Sequence, residues 1–297
     1  MTPRLLAVLF ALLLAFPATA EEVTIKPKDL TWNADLVVAE GKTLADGVLL
    51  MLHGTLGHKD MEIIGGMQEL MAERGFNSLA INLSLGLDNR KGMYDCTTPH
   101  KHRHEDAIDE IGNWIDWLKE QKAGPISLYG HSRGGNQVAW YAATEAGKEI
   151  THVVMVAPMT YGIVAEAKAY RKQFGKELLA GMDEAMRYQD GGHGGKLMKG
   201  IPFLHCAEAD VAPSSFIEYY HGDRRKDTPA LLEKIKAPKL IVVSDDDKVV
   251  PQLAESVKSV NDPDTRLELF EGAGHFYPDL YAEDLADLVA EFIGGAP

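Results

Sequence analysis

Three sets of residues in this chain could together attack an acyl bond. Ser132 stands in Gly130-His131-Ser132-Arg133-Gly134. A serine hydroxyl is a weak nucleophile until a base takes its proton, and that base is usually a histidine oriented by a carboxylate. His275 lies in Gly272-Ala273-Gly274-His275-Phe276, and a run of three aspartates, Asp245 to Asp247, precedes it. A fourth segment, His53-Gly54-Thr55, offers a backbone that can approach a substrate closely, because Gly54 has no side chain to hold it off.

These residues are far apart in sequence, so secondary structure has to gather them. Each follows a short apolar run of the kind that forms a strand buried on both faces. The runs are Gly47 to Leu52 before His53, Ile126 to Gly130 before Ser132, Lys239 to Ser244 before the aspartates, and Thr265 to Phe270 before His275. Further strands are expected at Val23 to Lys26, Leu36 to Ala39, Ser78 to Leu83 and His152 to Ala157. Between them fall helical spacings: Met61 to Arg74, His104 to Lys119, Arg133 to about Gly147, Leu253 to Val260, and 280–293. Alternating strands and helices imply a mostly parallel, doubly wound sheet with helices on both faces. Such sheets carry their sites at the carboxyl ends of the strands. Residues 159–236 lack the strand rhythm, apart from a brief Ile201-Pro202-Phe203-Leu204 run, and read as a mainly helical cap inserted over those ends.

The chain resembles the α/β-hydrolases, and within them the capped branch that holds serine aminopeptidases and monoacylglycerol-lipase-like enzymes. The likeness rests on His53-Gly54, on Gly130-His131-Ser132-Arg133-Gly134-Gly135, on Lys236 to Pro251 and on Gly274-His275. It covers about residues 46–158 and 237–295. The order serine, acid, histidine is the one that nucleophile-elbow hydrolases use. The resemblance implies Ser132 as nucleophile and His275 as base. It selects Asp247 as the acid, because the family places the acid three residues beyond the strand end at Ser244. It further implies an oxyanion site made by the backbone N–H groups of Thr55 and Arg133, with His53 shaping the loop. Two departures stand out: Arg133 replaces a small or apolar residue, and Leu83 to Arg90 replaces the family's usual Asp-x-x-Gly-x-Gly loop.

Composition narrows the function from another side. Apolar residues make up 45% and charged residues 25%, ordinary for a globular domain. A net charge of −14 disfavours nucleic acid and anionic membrane surfaces as partners. Arg4, the twelve-residue apolar run Leu5 to Phe16, Pro17 and Ala18-Thr19-Ala20 read as a secretory signal peptide cleaved after Ala20. The run is too short to span a bilayer, which takes ~20 residues, so a periplasmic or secreted protein without stable membrane insertion is expected.

In an oxidising compartment the two cysteines, Cys96 and Cys206, invite a disulfide. The bond would tie the loop before His104 to the cap. Cys96-Thr-Thr-Pro-His100-Lys-His102-Arg-His104 could alternatively hold zinc or copper, although its spacing matches no standard zinc signature. His193 and His205 lie in the cap, where they either meet substrate or decorate loops.

The expected activity is that of an exported serine hydrolase acting on a small-molecule carboxylic ester, less readily an amide, through an acyl-enzyme. No metal or cofactor enters that chemistry. The alternatives are an acyltransferase on the same fold, or a non-catalytic periplasmic binding or metal-binding accessory protein.

Overall fold

The computed structural model describes residues 20–258, 260 and 262–295. Of the proposed leader, residues 1–19 lie outside the described residues.

Among the described residues, ten strands and eight α-helices follow one another as β1 (Glu21–Ile25), β2 (Trp32–Val37), β3 (Val48–Leu52), α1 (Glu62–Glu73), β4 (Ser78–Asn82), α2 (Asp106–Glu120), β5 (Ile126–His131), α3 (Arg133–Ala142), β6 (Val153–Val156), α4 (Ile163–Phe174), α5 (Leu178–Asp190), β7 (Met198–Phe203), β8 (Cys206–Val211), α6 (Pro213–Tyr220), β9 (Lys239–Ser244), α7 (Leu253–Val257), β10 (Thr265–Phe270) and α8 (Leu280–Gly294). Eight strands form one sheet in the order β1-β2-β4-β3-β5-β6-β9-β10. The two pairings of β2, to β1 and to β4, are antiparallel. From β4 to β10 every pairing is parallel. Strands β3, β5, β6 and β9 therefore deliver their carboxyl ends to one edge of the sheet.

Burial follows position in the sheet. Every residue of β3, β4, β5, β6 and β9 is buried. The outer strands β1 and β10 have no fully buried residue, and β10 alternates half-buried with exposed positions along most of its length. This explains why the central runs read as continuous hydrophobic stretches and the edge runs do not. Helices cover the sheet in two mutually packed pairs, α1 with α8 and α2 with α3. On α2 the buried stripe is Ala107, Glu110, Ile111, Trp114, Ile115 and Leu118. Fully burying each of the large apolar members contributes roughly 1.5–3 kcal/mol. Glu110 in that stripe must find donors instead, and it does, as described below.

Several boundaries differ from the sequence expectation. His104 does not begin a helix; it lies in a turn two residues before α2. Helix α3 stops at Ala142, and a short 3-10 turn at Ala146–Glu149 completes the connection. Helix α7 ends at Val257. The largest difference is in 159–236, where β7 and β8 form an antiparallel hairpin beside the three helices. Gly200, at φ +59°, and Pro202 interrupt β7, and the pairing shifts register between Met198, Ile201 and Phe203. Of this hairpin the sequence marks only the brief Ile201 to Leu204 run; the rest of β7 lacks both the alternation and the continuous apolar stretch of a strand. It is held by aromatic packing: Phe203 is fully buried, with ring centroids 5.1–5.9 Å from His100, Phe216, Tyr219 and Tyr220.

Candidate active site

The turn between β5 and α3 places Ser132 at φ 58°, ψ −121°, a conformation an L-residue adopts only when its surroundings enforce it. The enforcement is visible on both sides. A Cβ on Gly130 would come within 2.4 Å of the Gly134 carbonyl oxygen, and one on Gly134 within 2.4 Å of that of His53. Only glycine fits either position, so α3 can close directly onto β5 and β3. Ser132 is 9% exposed and sits against Gly54 of the loop that follows β3.

Beyond β9, the three aspartates take three different partners. Asp245 accepts the Gly272 amide, and Asp246 pairs with Lys248 on the surface. Asp247 alone turns inward: its Oδ2 lies 2.7 Å from His275 Nδ1, and its Oδ1 accepts the amides of Val249 and Val250 at 2.7 and 2.9 Å. Burial alone would raise the Asp247 pKa, but the hydrogen bonds from His275 and the two amides outweigh it and hold the carboxylate below its usual range. An ionised Asp247 makes Nδ1 of His275 the protonated nitrogen, leaving Nε2 free to accept a proton.

The backbone of His275 is held as well. His131 Nε2 donates to the His275 carbonyl at 2.9 Å, the two rings lie 4.7 Å apart, and Gly274 N–H donates to Ser244 Oγ at 3.1 Å. Burial drives the His131 pKa down to about 3, so its ring is neutral. The positioning roles of His131 and Ser244 were not recognised from sequence, although both stand inside the quoted motifs.

The loop after β3 is braced from behind. His53 is buried and neutral, its pKa pushed down to about 3 by burial and then by Arg90. It donates from Nδ1 to the Gly54 carbonyl and accepts the Leu83 amide on Nε2. Arg90 is 5% exposed and donates to the carbonyls of Leu83, Gly57 and Gly92 and to Asn82 Oδ1. Its partners come from the end of β4 and from two loops, up to 37 residues away, so no local pattern reveals its role. Glu110 receives the Ser84 amide and hydroxyl at 2.8 and 2.7 Å, and burial raises its pKa to about 7. The unusual Leu83 to Arg90 segment is thus a clamp behind Gly54 and Thr55. Among the described residues, the N–H groups of Thr55 and Arg133 have no acceptor.

A second wall rises from residues 94–104 and the β7–β8 hairpin. Cys96 and Cys206 form a disulfide, with Cα atoms 5.5 Å apart. His100 joins the hairpin as a short third strand: its amide donates to Asp210 and its carbonyl accepts from Ala212. The histidine side chains then form a buried line. Tyr219 O–H donates to His102 Nδ1 at 2.8 Å, His102 Nε2–H to His100 Nδ1 at 3.1 Å, and His100 Nε2–H to Cys206 Sγ at 3.7 Å. His104 turns the other way, donating from Nε2 to Asn136 Oδ1 at 2.9 Å. Its Nδ1 accepts from Arg133 Nη1 at 3.1 Å.

Burial lowers the pKa of His100 to about 4 and of His102 to about 3, and it holds that of His104 well below the usual histidine value, so all three are uncharged. With both sulfurs in the disulfide and the imidazoles bonded as described, this stretch presents no metal-ligand set. Among the described residues, no group of three or more His, Cys, Asp or Glu is arranged to hold a metal ion.

His205 and His193 diverge. His205 sits at the tip of the β7–β8 hairpin, where burial and then the nearby Arg133 guanidinium lower its pKa. His193 lines a cavity of ≈440 Å³ with Glu184, Arg187, Tyr188 and Lys196, none of which belongs to the Ser132 site. Phe276, immediately after His275, is 52% exposed, and Val249, two residues after Asp247, is exposed as well, so apolar surface adjoins both residues.

Comparison with known proteins agrees with this architecture. No curated protein matches the sequence. Solved structures do. Est1E from Butyrivibrio proteoclasticus is 20% identical, with a TM-score of 0.63 over 92% of this chain and 99% of its own. The Pyrococcus furiosus esterase Pf2001 is 18% identical, with a TM-score of 0.57 over 98% of this chain and 96% of its own. A monoacylglycerol lipase from Paleococcus ferrophilus is 21% identical, with a TM-score of 0.55 over 88% of this chain and 98% of its own. At these identities the likeness concerns the fold. The family model described as "Alpha/beta hydrolase family" matches residues 49–290, and the chain belongs to that family.

Proposed function

We propose that this hydrolase is an exported serine esterase, cleaving a carboxylic ester of a small molecule through an acyl-enzyme. The observation that carries the reading is the Asp247–His275 contact of 2.7 Å at the same sheet edge as the strained turn of Ser132. In the proposed cycle, Ser132 Oγ attacks the carbonyl while His275 Nε2 takes its proton. The oxyanion forms against the N–H groups of Thr55 and Arg133, fixed donors of the kind worth ~3–4 kcal/mol each to such transition states. His275 returns the proton to the leaving alcohol, and water releases the acyl group by the reverse steps. Asp247 keeps the imidazole in its Nδ1–H form and stabilises its charged state. No metal or cofactor enters these steps.

Residues 159–236 are read as the cap that shapes the pocket, and the apolar leader with Ala18-Thr19-Ala20 as the export signal. An esterase and a monoacylglycerol lipase among the structural neighbours favour ester over amide. Labelling of the folded protein with a fluorophosphonate at neutral pH tests the core of the proposal. A single adduct on Ser132, absent in Ser132→Ala, is expected. A protein that stays unlabelled, and hydrolyses no p-nitrophenyl ester of any chain length, is not a serine hydrolase.

A further inference from the structure

Arg133 is the residue after the proposed nucleophile, and its side chain is unlike the other sequestered cations here. Lys59 meets Asp35 and Asp60 at 2.5 and 3.0 Å, Lys226 meets Glu218 at 3.5 Å, and Lys239 meets Asp262 at 2.8 Å. Arg90 has no carboxylate, but oxygen acceptors surround its guanidinium. Arg133 has neither arrangement. Its Nε donates to Thr55 Oγ1 at 2.8 Å and its Nη1 to His104 Nδ1 at 3.1 Å, while its guanidinium lies 5.1 Å from the centre of the Tyr219 ring. All three supports are neutral. Among the described residues no carboxylate comes within 4 Å of it. The nearby Glu218 is engaged by the His104 amide and Lys226. An arginine has five N–H donors, and three of these have no acceptor among the described residues.

The supports do more than tolerate this cation; they aim it. His104 is itself fixed by Asn136, and Tyr219 by His102. The side chain is therefore pre-set before any ligand arrives, which spares the ordering cost a flexible cation would bear. Arg133 remains partly exposed, bonded to Thr55 of the loop beside Ser132, with His205 of the hairpin tip nearby. In a chain of net charge −14, an anion gains little from the protein's overall field and needs a local positive focus.

We propose that Arg133 is the recognition site for a carboxylate carried by the substrate, so that this enzyme acts on acidic esters: molecules bearing a free carboxylate besides the ester to be cleaved. The guanidinium would take that carboxylate through its unused N–H groups while the ester carbonyl faces Ser132 and the amides of Thr55 and Arg133. This inference rests on the serine-esterase reading and adds the substrate class to it.

Two matched pairs of esters test it, one with the charge on the alcohol part (4-acetoxybenzoate against methyl 4-acetoxybenzoate) and one with it on the acyl part (monoethyl adipate against diethyl adipate). The readout is the ratio of kcat/KM, charged over uncharged, in which any general loss of activity cancels. A ratio of about tenfold or more is expected for at least one pair at low ionic strength, falling several-fold at about 0.5 M salt. Arg133→Gln should bring that ratio down to about one or below, and Arg133→Lys should restore part of it. The salt series uses the unaltered protein, so it stands even where a variant folds poorly. Ratios at or below one for both pairs, a ratio that survives Arg133→Gln, or failure to turn over any of the four esters while fluorophosphonate still labels Ser132 would each overturn the inference and leave the hydrolase reading intact. Absence of both turnover and label removes the two together.

Discussion

The two walls of the site are built by different physics. One consists of strand ends: Ser132 after β5, Asp247 after β9 and His275 after β10. Its geometry is inherited from a sheet whose central strands are wholly buried, and the final adjustments are short and local, such as Asp247 Oδ1 accepting the amides two and three residues on. The other wall is residues 94–104 with the β7–β8 hairpin. There a disulfide, a line of neutral histidines and an aromatic cluster around Phe203 take the place of the sheet. A wall built on apolar burial should resist changes of pH and redox state. A wall built on polar groups forced to stay neutral, and on one covalent link, should yield to both.

The sharpest way to separate them is through activity. Asp247→Asn removes the charge that orients His275 while keeping the shape, and it should lower kcat by roughly 10²–10⁴-fold. The melting temperature should stay within a few degrees. A variant that keeps near-full kcat would show that Asp247 is not the acid. Next in size is the disulfide. It closes a loop of 110 residues, and removing it with the Cys96→Ala and Cys206→Ala pair should cost about 2–5 kcal/mol of stability. The expected signature is exposure of the 94–104 and 198–211 backbone to hydrogen exchange while β3 to β6 stay protected. Uniform loss of protection would mean the two walls unfold as one.

The smallest effect concerns pH. The folded pKa values of His100 and His102 lie near 4 and 3, below the ~6.5 of an unfolded histidine. The folded state therefore binds fewer protons than the unfolded one between those values. The stabilising contribution of each neutral histidine is complete above pH 6.5 and is lost as the pH falls toward the folded value. Glu110 has the opposite sign: with its pKa raised to about 7, its contribution is complete below about 4.5 and is lost as the pH rises through 7. Histidines outnumber it, so urea midpoints should fall between pH 6.5 and 4.5. His102→Phe should flatten the decline by up to ~1.4 kcal/mol per pH unit. An unchanged slope would mean that His102 is charged in the fold.

The same contrast explains what the sequence discloses. Strands Lys239–Ser244 and Thr265–Phe270 were legible to the residue, because strand ends next to Gly and Asp punctuation carry local signals. The expectation of Asp247 as the acid needed the family pattern; in the structure Asp245 and Asp246 take other partners, and Asp247 is the one that meets His275. The hairpin was not legible: β7 carries a glycine and a proline, and its stability comes from Phe203, Cys206 and a loop about 100 residues earlier. The roles of Arg90, Tyr219 and Asn136 were not legible for the same reason. Each acts through partners distant in the chain, and nothing next to them in sequence announces a contact. Arg133 was conspicuous as a departure, but only Thr55, His104 and Tyr219 around it reveal its setting.

The covalent link has a consequence for how the chain is made. With two cysteines in the whole sequence, only one intramolecular pairing exists. No wrong bond within the chain can form, so maturation asks for an oxidant and never for a shuffling catalyst. Timing is constrained instead. Cys96 emerges first and must wait for 110 more residues, a stretch that includes β5, the Ser132 turn and β6. Until Cys206 arrives, that thiol is open to a second chain, and covalent dimers through Cys96 are the side product to look for when synthesis outruns folding.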